Sequence, residues 1–126
     1  MFTEMRSSRR YAAREGTCAS FMNARVSPFN RIGQVLDMSP SGIALKYLSN
    51  DEGYGKEQPV VIEMFTVARP AMTTGRIPCR VAYDVSLKNS PPGSVDIRRC
   101  GLRFEELSNI ESCHVEQFMR TCTSLA

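Results

Sequence analysis

The sequence predicts an all-β fold, a six-stranded antiparallel β barrel with one C-terminal α-helix. Three observations carry this. Short apolar runs with a period of two recur from Thr17 onward, separated by turn formers. The spacing changes once, near Ser108, to threes and fours. No strand–helix alternation of the kind that builds a parallel sheet interrupts the series. The length suits one such unit: 126 residues, 42% hydrophobic and 23% charged, can bury a core without staples.

Residues 1–16 lack apolar periodicity and read as a flexible basic arm, leaving 17–126 for the barrel and helix. Thr17–Val26 is the first strand, broken by Ser27-Pro28. Arg31–Asp37 leads into the turn Ser39-Pro40-Ser41-Gly42. Ile43, Leu45 and Tyr47 then alternate with Ala44 and Lys46. Asn50, Asp51, Gly53 and Gly55 make Ser49–Lys56 a loop, and Val60–Val67 is the next strand.

The clearest alternation follows. Ile77, Cys79, Val81, Tyr83 and Val85 share one face; Pro78, Arg80, Ala82, Asp84 and Ser86 share the other. Pro78 suits an edge or a strand end. Pro91-Pro92-Gly93 turns the chain, and Cys100, Leu102 and Phe104 mark the last strand. A helix over about 108–124 opens on a capping box of Ser108 and Glu111. Leu107, Ile110, His114, Phe118, Cys122 and Leu125 form its apolar stripe.

Composition excludes several classes. Val60-Val61-Ile62 is stopped by Glu63, far short of a membrane span. The first twenty residues carry Arg6, Arg9, Arg10 and Arg14 and no apolar stretch, so no secretory leader is expected. The five cysteines show no C-x-x-C spacing and read as reduced thiols of a cytoplasmic protein, mostly small core residues. One histidine, His114, on the helix's apolar side, is no basis for a base or a metal site. Phosphate-loop, dinucleotide and nucleophile-elbow motifs are missing, so no enzyme is expected. Residues 1–31 hold six arginines against two acids, a net of +4, which leaves −1 for the rest of a chain whose total is +3. The arm is the basic element, and its cation is the one whose fork fits phosphate and guanine.

Two motifs stand out. Arg10 and Arg14 form an R-x-x-x-R pair preceded by Arg9. The chain has four such pairs, Arg99/Arg103 among them, against about 1.3 expected by chance, so the pattern alone decides nothing. Asp37–Gly42 has the form D-x-S-x-x-G; with Asp or Asn allowed at its first position, roughly 0.06 chance matches are expected. Taken alone it reads equally well as a hairpin turn, with Asp and Ser bonding their own backbone and Gly42 supplying a positive φ.

An arginine arm at Arg9–Arg14, a strand, Asp37–Gly42 followed by Ile43-Ala44-Leu45, and a closing Arg99–Leu107 strand before a helix together resemble the PilZ domain. The resemblance spans about Arg6 to Phe118. It implies a split β barrel that binds cyclic di-GMP, a bacterial second messenger, with the arm and the turn gripping the ligand together. Carried over, the ligand-binding residues are Arg10, Arg14, Asp37, Ser39 and Gly42, with Arg9 as an extra arginine that implies two ligands per chain. The residue types suit the ligand. Guanidinium forks onto phosphate or guanine O6 and N7, and a carboxylate accepts from guanine N1–H and N2–H₂. Tyr11 reads as an anchor for the arm. The ligand is expected to order the arm, whose charges repel and which nothing apolar pins, and so to signal to a separate effector protein from a monomer or homodimer. Two other readings stay open: a PilZ-like interaction adaptor that binds no nucleotide, and a small barrel for single-stranded nucleic acid. The second is disfavoured because Tyr47, Tyr83 and Phe104 alternate as core residues.

Overall fold

A computed structural model describes residues 9–22, 31–49, 53–87, 91 and 94–123. Its strands are β1 (Tyr11–Ala12), β2 (Thr17–Met22), β3 (Arg31–Ser39), β4 (Gly42–Ser49), β5 (Pro59–Thr66), β6 (Thr73–Ser86) and β7 (Asp96–Phe104), followed by helix α1 (Asn109–Cys122). Six of the strands run β3–β2–β5–β6–β7–β4, and a β3–β4 pairing closes the ring. Every pairing is antiparallel. This is the expected barrel, with the two-residue β1 added along β3. Closure removes every sheet edge within the ring. The expected strand end at 23–26, the Pro92-Gly93 turn and Leu125 lie outside the described residues.

Alternate residues fill the barrel. Ile43, Leu45, Ile62, Met64, Ile77, Cys79, Val81 and Cys100 are fully buried. Cys79, Cys100 and Cys122 are core thiols as expected, whereas Cys113 is exposed. Pro78 lies in a central strand, yet β7 ends just before it: the last β6–β7 pair is Cys79 with Phe104.

Two bulges set the outer surface. In β3 the register shifts between Val35 and Asp37, and in β6 between Val81 and Tyr83. A bulge inserts one residue and so exchanges the inward and outward faces beyond it. Val35 and Met38 both point inward, which leaves Asp37 outside. In β6 the same exchange corrects the expected faces. Tyr83 is 39% exposed and Val85 lies outside, while the Asp84 side chain is fully buried.

That buried carboxylate is well held. Arg98 Nε donates to Asp84 Oδ1 at 2.5 Å, the Tyr54 backbone N–H donates to Oδ2 at 2.9 Å, and the Tyr47 hydroxyl donates to Oδ2 as well. Burial, then Asp84, pushes the Tyr47 phenol well above its usual pKa. Arg31 lies over the Tyr47 and Tyr54 rings, and Phe21 stacks on Tyr54.

The Ser108 capping box is present, with Glu111 N–H donating to Ser108 Oγ and Ser108 N–H to Glu111 Oε1. The buried helix face is Val115, Phe118, Met119 and Cys122. This corrects the expected stripe by rotating it: Ile110 is 69% exposed and His114 faces outward. The helical period holds, but packing on the barrel sets its phase and favours Val115 and Met119 over Ile110 and His114.

Candidate functional site

The outer surface where β3, β4, β6 and β7 meet carries an open cleft of about 380 Å³. Arg10, Asp37, Gly42, Tyr83, Arg99 and Arg103 contribute to its walls. Local chain geometry explains each. The β1–β3 pairing sets Tyr11 opposite Met38 and Ala12 opposite Asp37, which brings Arg10 to the carboxylate. Arg10 Nε lies 2.5 Å from Asp37 Oδ1. The arm is further tied by Ala13 N–H to the Leu36 carbonyl and Arg14 N–H to the Cys122 carbonyl. Tyr11 and Ala13 pack against the core, so the expectation that nothing apolar pins the arm is corrected at these two residues.

Ser39 is fully buried inside the turn. Its Oγ accepts from the Ser41 N–H at 3.2 Å and lies 3.0 Å from the Ser41 hydroxyl, and Ser41 itself lines the cleft. Ser39 therefore shapes the turn from within. Gly42 does not adopt a positive φ. It is glycine because a Cβ there would run into the Leu102 carbonyl and lie 3.2 Å from the Arg103 Cα. The close approach of β7 is the constraint, which corrects the reason expected for this glycine.

The structure separates Arg14 from this group. Arg14 lines a separate, smaller cleft of about 230 Å³ with Arg69, Met72 and Cys122, beside the end of α1. Arg9 is exposed ahead of Arg10.

β7 supplies the residues that the sequence reading missed. With period two, Arg99, Gly101 and Arg103 all face outward and line the cleft. Arg99 Nη2 is 3.6 Å from Asp37 Oδ2, and its Nε donates to the Tyr83 hydroxyl at 3.2 Å. These partners raise the Arg99 pKa, Tyr83 first. The Tyr83 ring lies over Gly101, where a Cβ would enter it. One signal was available: Arg99/Arg103 is one of the four R-x-x-x-R pairs, and in a strand that spacing puts both on one face.

Arg103 has a carboxylate of its own. Its Nη2 donates to Glu57 Oε1 at 2.7 Å and its Nη1 to Oε2 at 3.4 Å. This hydrogen bond lowers the Glu57 pKa and raises that of Arg103. Glu57 has a φ of 65°, in the left-handed region where glycine is favoured.

Such a cleft can hold an anion with a flat, hydrogen-bonding body. Three guanidiniums provide the cationic fork, Asp37 accepts from N–H groups, and Tyr83 offers a ring face. Among the described residues no cluster of His, Cys, Asp and Glu could hold a metal ion.

No family model and no curated protein matches the sequence. Solved structures do match in shape. The chain superposes on the PilZ domain with c-di-GMP of YcgR from Escherichia coli with a TM-score of 0.70 and 11% identity, over 94% of this chain and 91% of that one. It superposes on the MrkH–c-di-GMP complex of K. pneumonia with a TM-score of 0.64 and 12% identity, over 93% of this chain and 52% of that one. At these identities the likeness shows the fold, which is PilZ-like as the motifs implied.

Proposed function

We propose that this chain is a receptor for cyclic di-GMP and that the Arg10–Asp37–Tyr83–Arg99 cleft is where the ligand is read. The observation that carries the reading is the joining of the two motifs: Arg10 of the arm meets Asp37 of the turn at 2.5 Å, on a barrel with the PilZ fold. The ligand itself is supported by the two solved neighbours, both described with c-di-GMP.

The roles follow from chemistry. Arg10 forks onto a phosphate or the guanine O6/N7 edge. Asp37 has two oxygens and about four lone-pair sites, so it accepts guanine N1–H and N2–H₂ while keeping an arginine. Tyr83 stacks on a base, with Arg99 fixing its hydroxyl. Gly42 lets backbone and ligand approach, and Ser39 holds the turn that presents it. Arg14 joins the ligand by turning its side chain out of its own cleft, and Arg9 caps a second, stacked ligand, giving two per chain. The ligand locks the arm, already tied to β3 and to the end of α1, across the cleft, and the composite surface is read by a partner protein. A cytoplasmic setting belongs to the same proposal; among the described residues no helix is long and apolar enough to cross a membrane.

The nucleic-acid reading has one new point in its favour, since Tyr83 is exposed rather than core. It is the one aromatic among the described residues that is well exposed, and stacking platforms need several.

Isothermal titration calorimetry with cyclic di-GMP tests the proposal, with GTP and cyclic di-AMP as controls. Guanine-selective binding that weakens at least 30-fold in Arg10→Ala is the expected result. A folded chain that gives no heat overturns it.

A further inference from the structure

The cleft contains three arginines, but their counter-ions differ. Arg10 and Arg99 share Asp37, which the motif reading already uses. Arg103 is paired with Glu57, a residue no motif includes. Arg98, on the same strand, provides a contrast. Its partner Asp84 has a fully buried side chain, so that pair cannot be exchanged without leaving a charge in the core. The Arg103 and Glu57 side chains are 52% and 51% exposed. An exposed pair is weak, and a phosphate can replace its carboxylate at little cost.

Glu57 is placed with care. It occupies the third position of a Gly55–Gln58 turn closed by Gln58 N–H to the Gly55 carbonyl at 3.1 Å. A φ of 65° there favours glycine, and glycine is used two and four residues earlier, yet the strained position carries a glutamate. The turn is tied to β6 by Glu57 N–H to the Val81 carbonyl at 2.7 Å and by Arg80 Nη1 to the Glu57 carbonyl at 3.0 Å. Val81 is also where the bulge that exposes Tyr83 begins. Along β7, Arg99 and Arg103 stand about 13 Å apart at roughly 3.3 Å per residue, so they can serve separate groups of one extended ligand.

We infer that Arg103 contacts a phosphate of the bound nucleotide and that Glu57 is its built-in competitor, a carboxylate that the ligand displaces and that thereby sets the affinity. The inference rests on the cyclic di-GMP reading and adds to it two residues, one attractive and one opposing. Removing the competitor strengthens binding, and does so only while Arg103 is present.

The test is a double-mutant cycle by calorimetry with cyclic di-GMP, in 50 mM and 500 mM salt, on the unaltered chain, Arg103→Ala, Glu57→Gln and the pair together. Arg103→Ala is expected to weaken binding about tenfold. Glu57→Gln is expected to tighten it about threefold at low salt and less at high salt. In the Arg103→Ala background Glu57→Gln should change nothing. Arg103→Gln replaces Arg103→Ala if the alanine variant melts early. Glu57→Gly separates strain from charge: it should raise the melting temperature and tighten binding, whereas a purely structural turn residue would move the melting temperature alone. Unchanged affinity in Arg103→Ala, or weaker binding in Glu57→Gln, overturns the inference and leaves the receptor reading standing. No binding by the unaltered chain overturns both.

Discussion

Asp37 and Tyr83 face the same cleft from strands on opposite sides of β4 and β7, and each does so because its strand carries a bulge just before it. Val35 and Val81 point inward. Two residues further along an unbroken strand, Asp37 and Tyr83 would also point inward. Each bulge turns one side chain from the core to the site, a use of bulges common near binding surfaces.

Tyr83 should therefore matter to binding more than to folding. Tyr83→Ala is expected to weaken cyclic di-GMP binding about tenfold, the lower range for a lost base–aromatic stack, while Tyr83→Phe keeps most of the affinity. Calorimetry of the two variants measures this.

Gly42 should matter to folding first. Gly42→Ala forces a methyl against the Leu102 carbonyl, with the Arg103 Cα at 3.2 Å, where neither backbone can move freely. A loss of about 3 kcal/mol is expected, or about 10 °C in melting temperature for a chain of this size. Thermal denaturation followed by circular dichroism checks it.

Arg98 supports the barrel through its pair with the buried Asp84. Arg98→Met leaves Asp84 buried with its Tyr47 and Tyr54 donors but no cation. A destabilisation of about 3–5 kcal/mol is expected, larger than for Arg103→Ala, whose pair is exposed. Urea denaturation of the two variants compares them.

Stability should fall at alkaline pH. Burial first, then Asp84, pushes the Cys100 thiol up to about 12, whereas an unfolded cysteine titrates near 8.5. The folded state thus prefers the neutral thiol. Its contribution is fully present below about pH 8.5 and is lost as pH rises toward 12, at up to about 1.4 kcal/mol per unit. Cys100→Ala should flatten the decline between pH 9 and 11 in urea titrations.

Much of this architecture was legible from period alone. The strand order of apolar runs, the capping box of Ser108 and Glu111, and the two motifs needed only local rules. What was hidden depends on long-range packing. A bulge leaves no mark in a two-residue alternation, so Tyr83 and Asp84 were assigned to each other's faces. The helix stripe kept its period but lost its phase, because the barrel selects Val115 and Met119 over Ile110 and His114. Arg99 and Arg103 were visible as a pair. Their meaning came only from β7 lying beside Gly42 and Tyr83. Arg14 shows the reverse: its motif partner Arg10 reaches the cleft, and its own side chain lines a different one.

On the proposed reading this cleft, and no other surface, receives cyclic di-GMP. The most direct measurement is a titration of ¹⁵N-labelled protein followed by two-dimensional NMR. Amide shifts are expected to concentrate at Arg10, Asp37, Ser41, Gly42, Tyr83 and Gly101, with Arg14 following as its side chain leaves its own cleft. Saturating ligand that leaves these amides unmoved, or that shifts only the groove around His114 and Gln117, would contradict it.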